Sequence, residues 1–394
     1  MAIHVVNEAR RCLHCKKPMC REGCPISTNI PEAIELFRTG HKEEAGEMLY
    51  ENNPLSVICS LVCDHEKQCE GHCVLGRKGA PVHFSSIENY ISDAYLDHLE
   101  PEMEPKKHQR VAIIGSGPAG ITISVLLARR GYDVTYLKPD STGSIPVEAV
   151  KNALRPDTIL VSLMLVNNET GAINDISSVS KLLKSSGSQA LLHTDAVQAF
   201  MKIPFTPKSL GADMISVSGH KIHAPKGIGA LYVRSGLRLK PYIMGGSQED
   251  GRRAGTEAMP QIAAFGEACR IAKENLAENA AKMAALRQLT IDTLTPAIPE
   301  LQVINGAAPH ILSISLPGWR SEVLMNFLEA REVYVSKSSA CKKGARSHVL
   351  EAIGLDSRVI DGAIRIGLCR YNTEEDIRAL CDGLIEAHST LAHR

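Results

Sequence analysis

The sequence predicts a mixed α/β chain built from several parts, and three observations carry that expectation. Apolar runs from Ile159 to Val166, Ala190 to Leu192 and Met214 to Val217 each end in polar residues, and helical stretches separate them. That is the pattern of a parallel sheet. Eight of the 12 cysteines fall between positions 12 and 73, in polar helical sequence. Between these regions, Val111 to Tyr136 reads as strand, Gly115-x-Gly117-x-x-Gly120, helix and strand, a short Rossmann-like βαβ. The expected segments are a mostly helical domain over 1–108, the βαβ over 109–137, a large sheet domain over 138–269 and a small α+β domain over 270–394.

Composition narrows the function. Lys plus Arg and Asp plus Glu number 44 each, so nothing marks a nucleic-acid or membrane partner. No apolar run approaches a bilayer span, and the opening MAIHVVNEARRC lacks a signal peptide's apolar core. A cytoplasmic protein is expected, where thiols stay reduced. In that setting a dense cysteine cluster points to metal rather than disulfides.

Taken in order, the first element is Cys12-x2-Cys15-x4-Cys20-x3-Cys24-Pro25, followed by Cys59, Cys63, Cys69 and Cys73 beyond a polar helical stretch that includes Ile30 to Tyr50. Closely spaced thiolates ending in Cys-Pro are the ferredoxin-like arrangement, in which one run serves two [4Fe-4S] clusters. Structural zinc is the alternative, but it usually splits its ligands into two distant C-x2-C pairs.

Residues 1–108 also resemble the N-terminal iron–sulfur domain of the glutamate synthase small subunit and of dihydropyrimidine dehydrogenase. The resemblance implies that Cys12, Cys15, Cys20 and Cys73 hold one cluster. It implies Cys24, Cys63 and Cys69 for the other, with Glu88 as fourth ligand and Cys59 as a spare thiol. The same family continues into an FAD domain through the βαβ. Here the end of the second strand, where an acid should meet the adenosine ribose, is Lys138, and the rest of such a domain is absent. FAD binding is therefore not expected, and the βαβ is read as structural.

The next elements converge on a lysine. The strand from Met214 to Val217 turns through Ser218-Gly219-His220-Lys221 and resumes as a strand from Ile228 to Val233. A lysine at a strand mouth, beside Ser, His and glycines, suits a Schiff base to pyridoxal phosphate (PLP). The other strands end in Asn167-Asn168-Glu169 and in His193-Thr194-Asp195, with Gln198 three residues on. Asn168, Asp195 and Lys221 then share one carboxyl edge, where α/β ligand sites form. Asp195 suits the pyridine nitrogen, Asn168 and Gln198 the ring oxygen, and Ser218 and His220 the phosphate.

From about Gly131 onward the words VNNETG, HTDAVQ, SGHKIHAPKGIGALYVR, GGSQEDGRRAGTEAMPQIAAFGEA, SSAC and AIRIGL resemble the cysteine desulfurases. That family has the class V aminotransferase fold: a PLP-dependent, aspartate aminotransferase-like large domain plus a small α+β domain. The resemblance implies Lys221 as the cofactor lysine, Asp195 at the pyridinium, Asn168 and Gln198 around the ring, and Ser218 and His220 on the phosphate. Thr256 would reach the phosphate of a partner subunit in a homodimer, Cys341 would accept sulfur, and Arg365 would clamp the substrate carboxylate. The matched words begin after the family's phosphate-binding Ser/Thr–Gly loop and ring-stacking His; a glycine loop stands in their place. The large domain is thus read as truncated and the chain as a fusion.

The remaining elements agree. Ile176 to Ser185 is a crossover helix, and a glycine-rich loop from Gly245 leads through Thr256 into a long Ala- and Glu-rich helical region ending near Leu294. Cys341 lies in the small, basic Ser336–Arg346 segment, which favours its thiolate; Cys269, Cys369 and Cys381 read as buried packing residues. The resemblance implies conversion of L-cysteine to L-alanine with a persulfide on Cys341, passed to an acceptor such as an iron–sulfur scaffold protein. The other readings are an electron-transfer module over 1–108 with a vestigial PLP domain, and a non-functional fusion.

Overall fold

The computed structural model describes residues 2–96, 105, 110–114, 127–128, 130–241, 243, 245–304, 306–337 and 346–392. Two compact units divide the chain, one built chiefly on Met1–Lys107 and the other on Tyr132–Ala340 and Arg346–Arg394 with the strand near residue 110. Among the described residues no helix is long and apolar enough to cross a membrane.

The first unit is helical: Ala2–Ala9, Met19–Gly23, Ile30–Arg38, Lys42–Asn52, Ser56–Val62 and Phe84–Leu96. The single helical stretch expected from Ile30 to Tyr50 is two helices. Thr39-Gly40-His41 interrupts it, and Gly40 takes φ 92°, a left-handed conformation open to glycine at little cost. The apolar stripe of Phe84–Leu96 places Phe84, Ile87 and Ile91 in a core with Ile30, Ile34 and Leu49. Each such side chain withdrawn from water contributes roughly 1.5–3 kcal/mol.

The second unit holds two sheets. Six strands, β1 (Arg110–Ile114), β2 (Asp133–Tyr136), β3 (Thr158–Met164), β4 (Leu191–Asp195), β5 (Met214–Ser218) and β6 (Gly229–Val233), lie in the order β2-β1-β3-β4-β5-β6. All neighbours are parallel except β5 and β6. The βαβ strands are therefore part of the main sheet, while Gly115, Gly117 and Gly120 fall outside the described residues. Val161, Leu163, Leu192 and Ile215 are buried against helix Ile176–Ser185 and its neighbours. Asp175 caps that helix by accepting from the Ser178 amide at 2.9 Å.

The second sheet is antiparallel: β7 (Gln302–Ile304), β8 (Ile311–Ser315), β9 (Ser336–Lys337) and β10 (Ala363–Gly367), in the order β7-β8-β10-β9. Its strands pack Leu312, Ile314, Ile364 and Ile366 against helices Leu276–Ala297, Ser321–Glu329 and Glu374–Thr390. The long helical region after Thr256 is two helices, Met259–Glu274 and Leu276–Ala297, meeting at Asn275. Cys381 is buried as expected, whereas Cys269 and Cys369 are only half-buried.

Candidate functional site

Parallel pairing sets the first site. Asp195, the last residue of β4, lies opposite Met164 of β3 and Ser216 of β5. The segments leaving β3, β4 and β5 thus carry Asn168, Asp195 and Lys221 to one carboxyl edge. Lys221 sits in a 3-10 turn, Gly219–Ile222, closed by His223 at φ 69°. Gly219 has no room for a side chain: an added Cβ would stand 2.9 Å from Ile228 Cγ2 and 3.2 Å from Phe265. Burial holds the half-buried Lys221 amine below the usual lysine range, and the positive charge of Arg365 adds to it.

Around this amine, Ser218 Oγ and His220 Nδ1 are 2.6 Å apart. Burial, then Lys221 and Lys226, lowers the His220 pKa, so the imidazole stays neutral and can donate to an anion. Asp195 Oδ1 accepts from the Val197 amide at 2.9 Å. Gln198 follows one turn later, its backbone against the buried His310 ring. Neither ring nitrogen of His310 has a well-formed hydrogen bond, and burial lowers its pKa to about 3. Asn167 pins the β3 loop by accepting from the amides of Glu169 and Thr170 at 2.9 and 3.0 Å. Arg365, on β10, donates from Nη1 to the Asn168 carbonyl at 2.8 Å and from Nε to Ser336 Oγ at 3.1 Å.

An amine with a lowered pKa, a carboxylate, amide side chains, a hydroxyl–imidazole pair and an arginine fit pyridoxal phosphate and an amino-acid substrate. Thr256 lies on an exposed loop and is joined to none of these residues by a hydrogen bond among the described residues. Cys341 falls outside the described residues, between Lys337 and Arg346.

Sequence reasoning missed three partners. His193 bridges neighbouring strands, with Nδ1 2.7 Å from Ser162 Oγ and Nε2 2.8 Å from Ser216 Oγ. Glu169 is buried and accepts from Ser347 Oγ at 2.5 Å. Burial raises the Glu169 pKa to about 7, against the lowering effects of Ser347 and Arg365. Period-2 alternation of Ser162, His193 and Ser216 with apolar neighbours was a usable signal for the first set. Nothing local signals a contact between residues 169 and 347.

In the first unit Cys12, Cys15, Cys20, Cys69 and Cys73 line one apolar cavity, with Ile34 and Phe84 in its wall, so the cavity does not separate the two ligand sets. Burial pushes the Cys20 thiol up to about 11, with Cys12 and Cys73 adding to the shift. Cys63 and Cys69 are each pushed up to about 12, burial first, with Cys24 and Glu88 among the nearby charges. These thiols gain from binding iron, which replaces their protons. Among the described residues no three His, Cys, Asp or Glu side chains converge closely enough to hold one ion. Clustered thiols of this kind suit iron–sulfur ligation.

Comparison with known proteins gives a family for each part of the chain. The aminotransferase class-V family model matches residues 96–380. The model for dihydropyrimidine dehydrogenase domain II, 4Fe-4S cluster, matches residues 2–99. A cysteine desulfurase of Nostoc sp. is 38% identical over 296 residues, covering 74% of this chain and 72% of that protein. The cysteine desulfurase IscS of Mannheimia succiniciproducens is 42% identical over 261 residues, 64% of this chain and 63% of that one. Among solved structures, a NifS-like protein superposes with a TM-score of 0.66 at 36% identity, covering 72% of this chain and 76% of that one. DndA of Streptomyces lividans gives 0.55 at 33% identity, with coverage of 66% and 75%.

Proposed function

The chain belongs to the class-V aminotransferases, among the cysteine desulfurases, and carries a 4Fe-4S domain at its N-terminus; on that premise we propose that it takes the sulfur of L-cysteine onto Cys341 and releases L-alanine. The observation that carries this reading is the shared edge of β3, β4 and β5, where Lys221, Asp195 and Asn168 emerge and Arg365 arrives from the second sheet.

Bound pyridoxal phosphate supplies an electron sink for the substrate's α-carbon. Lys221, with its lowered pKa, keeps a neutral fraction able to anchor the cofactor and to move a proton at that carbon. Asp195 keeps the pyridine nitrogen protonated, and Asn168 and Gln198 donate around the ring. Ser218 and His220 take the phosphate, joined by Thr256 of the other subunit in a homodimer. Arg365 exchanges the Asn168 carbonyl for the substrate carboxylate. The Cys341 thiolate, favoured by Lys342, Lys343 and Arg346, attacks the substrate sulfur. The carbon–sulfur bond breaks, its electron pair stays with the carbon fragment, and protonation gives alanine while Cys341 keeps the persulfide. An iron–sulfur scaffold protein in the cytosol is the proposed acceptor.

For the first unit we propose two clusters and no FAD. Cys12, Cys15, Cys20 and Cys73 hold one cluster; Cys24, Cys63 and Cys69 hold the other, with Glu88 as fourth donor and Cys59 as a spare thiol.

The test is the visible spectrum of the anaerobically purified chain beside Lys221→Ala, before and after L-cysteine. A band that requires Lys221 and shifts on adding cysteine is expected. A spectrum with only a broad iron–sulfur shoulder, unchanged by the substitution, would overturn the desulfurase activity.

A further inference from the structure

Three strands of the main sheet are tied by side chains as well as by backbone. Ser162 of β3, His193 of β4 and Ser216 of β5 form one row, with His193 Nδ1 2.7 Å from Ser162 Oγ and Nε2 2.8 Å from Ser216 Oγ. Burial lowers the His193 pKa against the pull of Asp195, so the ring is neutral. One ring nitrogen therefore donates while the other accepts, and it takes both serines to satisfy them.

Side chains on a strand alternate between its faces. The row thus shares its face with Asp195, two residues past His193, and with Ser218, two residues past Ser216. Ser216 is itself the ladder partner of Asp195. The row stands one pleat behind the proposed seats of the pyridine nitrogen, at Asp195, and of the phosphate, at Ser218. Other positions on this face are apolar, among them Leu160, Leu191 and Met214. An apolar side chain at position 193 would avoid the cost of burying an imidazole.

What the row adds is a fixed distance. Backbone pairing of β4 with β5 reaches the Ala196 amide, which donates to the Ser216 carbonyl at 2.9 Å. Past that point, Asp195 Oδ1 is held by the Val197 amide at 2.9 Å, and Ser218 Oγ lies 2.6 Å from His220 Nδ1. Among the described residues no hydrogen bond joins Asp195 to Ser218. The contact of His193 with Ser216 is a side-chain tie, on their own face, between the strands that carry them.

We propose that His193, held between Ser162 and Ser216, is a positioning residue that sets the spacing of Asp195 from Ser218. The inference rests on the reading that these two residues meet the ring and the phosphate of pyridoxal phosphate. A rigid ring with a phosphate arm must satisfy both seats at once. Pyridoxal, which lacks the phosphate, fills only the ring seat. A spacing error therefore penalises the first ligand and spares the second.

The experiment uses the full-length chain freed of cofactor. Dissociation constants for pyridoxal phosphate and for pyridoxal are measured for the parent, His193→Leu, His193→Gln, Ser216→Ala and Ser162→Ala, beside the melting temperature of each. His193→Leu and Ser216→Ala should weaken pyridoxal phosphate about tenfold, the equivalent of one buried hydrogen bond, and leave pyridoxal nearly unchanged. His193→Gln, whose amide keeps a donor and an acceptor, should recover part of the loss. Ser162→Ala breaks only the tie to β3, so it should lower the melting temperature as Ser216→Ala does but weaken pyridoxal phosphate less. If His193→Leu does not fold, Ser216→Ala decides, since it keeps the imidazole. Equal weakening of the two ligands, equal weakening by the two serine variants, or an unchanged affinity in Ser216→Ala overturns the proposal. A parent that binds no pyridoxal phosphate overturns the reading beneath it, and is told apart because the failure precedes any substitution.

Discussion

Glu169 is a carboxyl whose buried environment opposes its charge. A buried carboxyl held near pKa 7 is mostly protonated in the folded chain where an exposed one is already ionised. Its raised pKa fixes the sign of the pH effect. The folded state binds the extra proton, so the contribution to stability is complete below the unfolded value near 4.5 and is lost as pH rises through about 7. Glu169→Gln mimics the protonated form. Its melting temperature should match the parent's below pH 4.5 and exceed it increasingly up to pH 7 and above. A difference that does not change with pH would show that Glu169 ionises normally.

The element that places Lys221, the proposed cofactor lysine, is the 3-10 turn after β5, and Gly219 is where it can be broken. The backbone conformation there suits any residue, so the demand is spatial: an added methyl meets Ile228 and Phe265. Gly219→Ala should cost about 1–3 kcal/mol by overpacking and weaken the Lys221-dependent absorbance out of proportion to the stability lost. Retention of the full band would show that the turn yields without moving the lysine. Elements of this kind were legible because period and punctuation are local: β5 ends in Ser-Gly-His-Lys, and helix Ile176–Ser185 starts one residue after its Asp175 cap. What escaped the sequence was nonlocal. The Glu169–Ser347 bond spans 178 positions, and Glu88 meets Ser56 only because helix Phe84–Leu96 packs back beside helix Ser56–Val62. The break at Gly40 was legible in principle, since Thr-Gly-His interrupts an otherwise helical pattern, but glycine alone does not separate a break from a tolerated helical residue.

At the scale of the whole molecule, one chain combines a sulfur-transferring enzyme with an iron–sulfur domain, each with a core of its own. Within the second unit, Arg365 joins the sheets, because a side chain of β10 is bonded to the loop that follows β3. Arg365→Ala should raise KM for L-cysteine about ten- to a hundredfold, the equivalent of roughly 1.5–3 kcal/mol for a charge-assisted hydrogen bond. Arg365→Lys should recover only part of that loss, since an ammonium lacks the planar fork. An unchanged KM would remove Arg365 from substrate binding. In the proposed role of Arg365 as carboxylate clamp, the bond to Asn168 would also give selectivity a competitive origin. A main-chain oxygen holds the guanidinium before any amino acid arrives, so an incoming molecule must outbid a neutral acceptor. A carboxylate does so by charge. An amine without one, such as cysteamine, has nothing to offer in exchange and leaves the two sheets latched as they were.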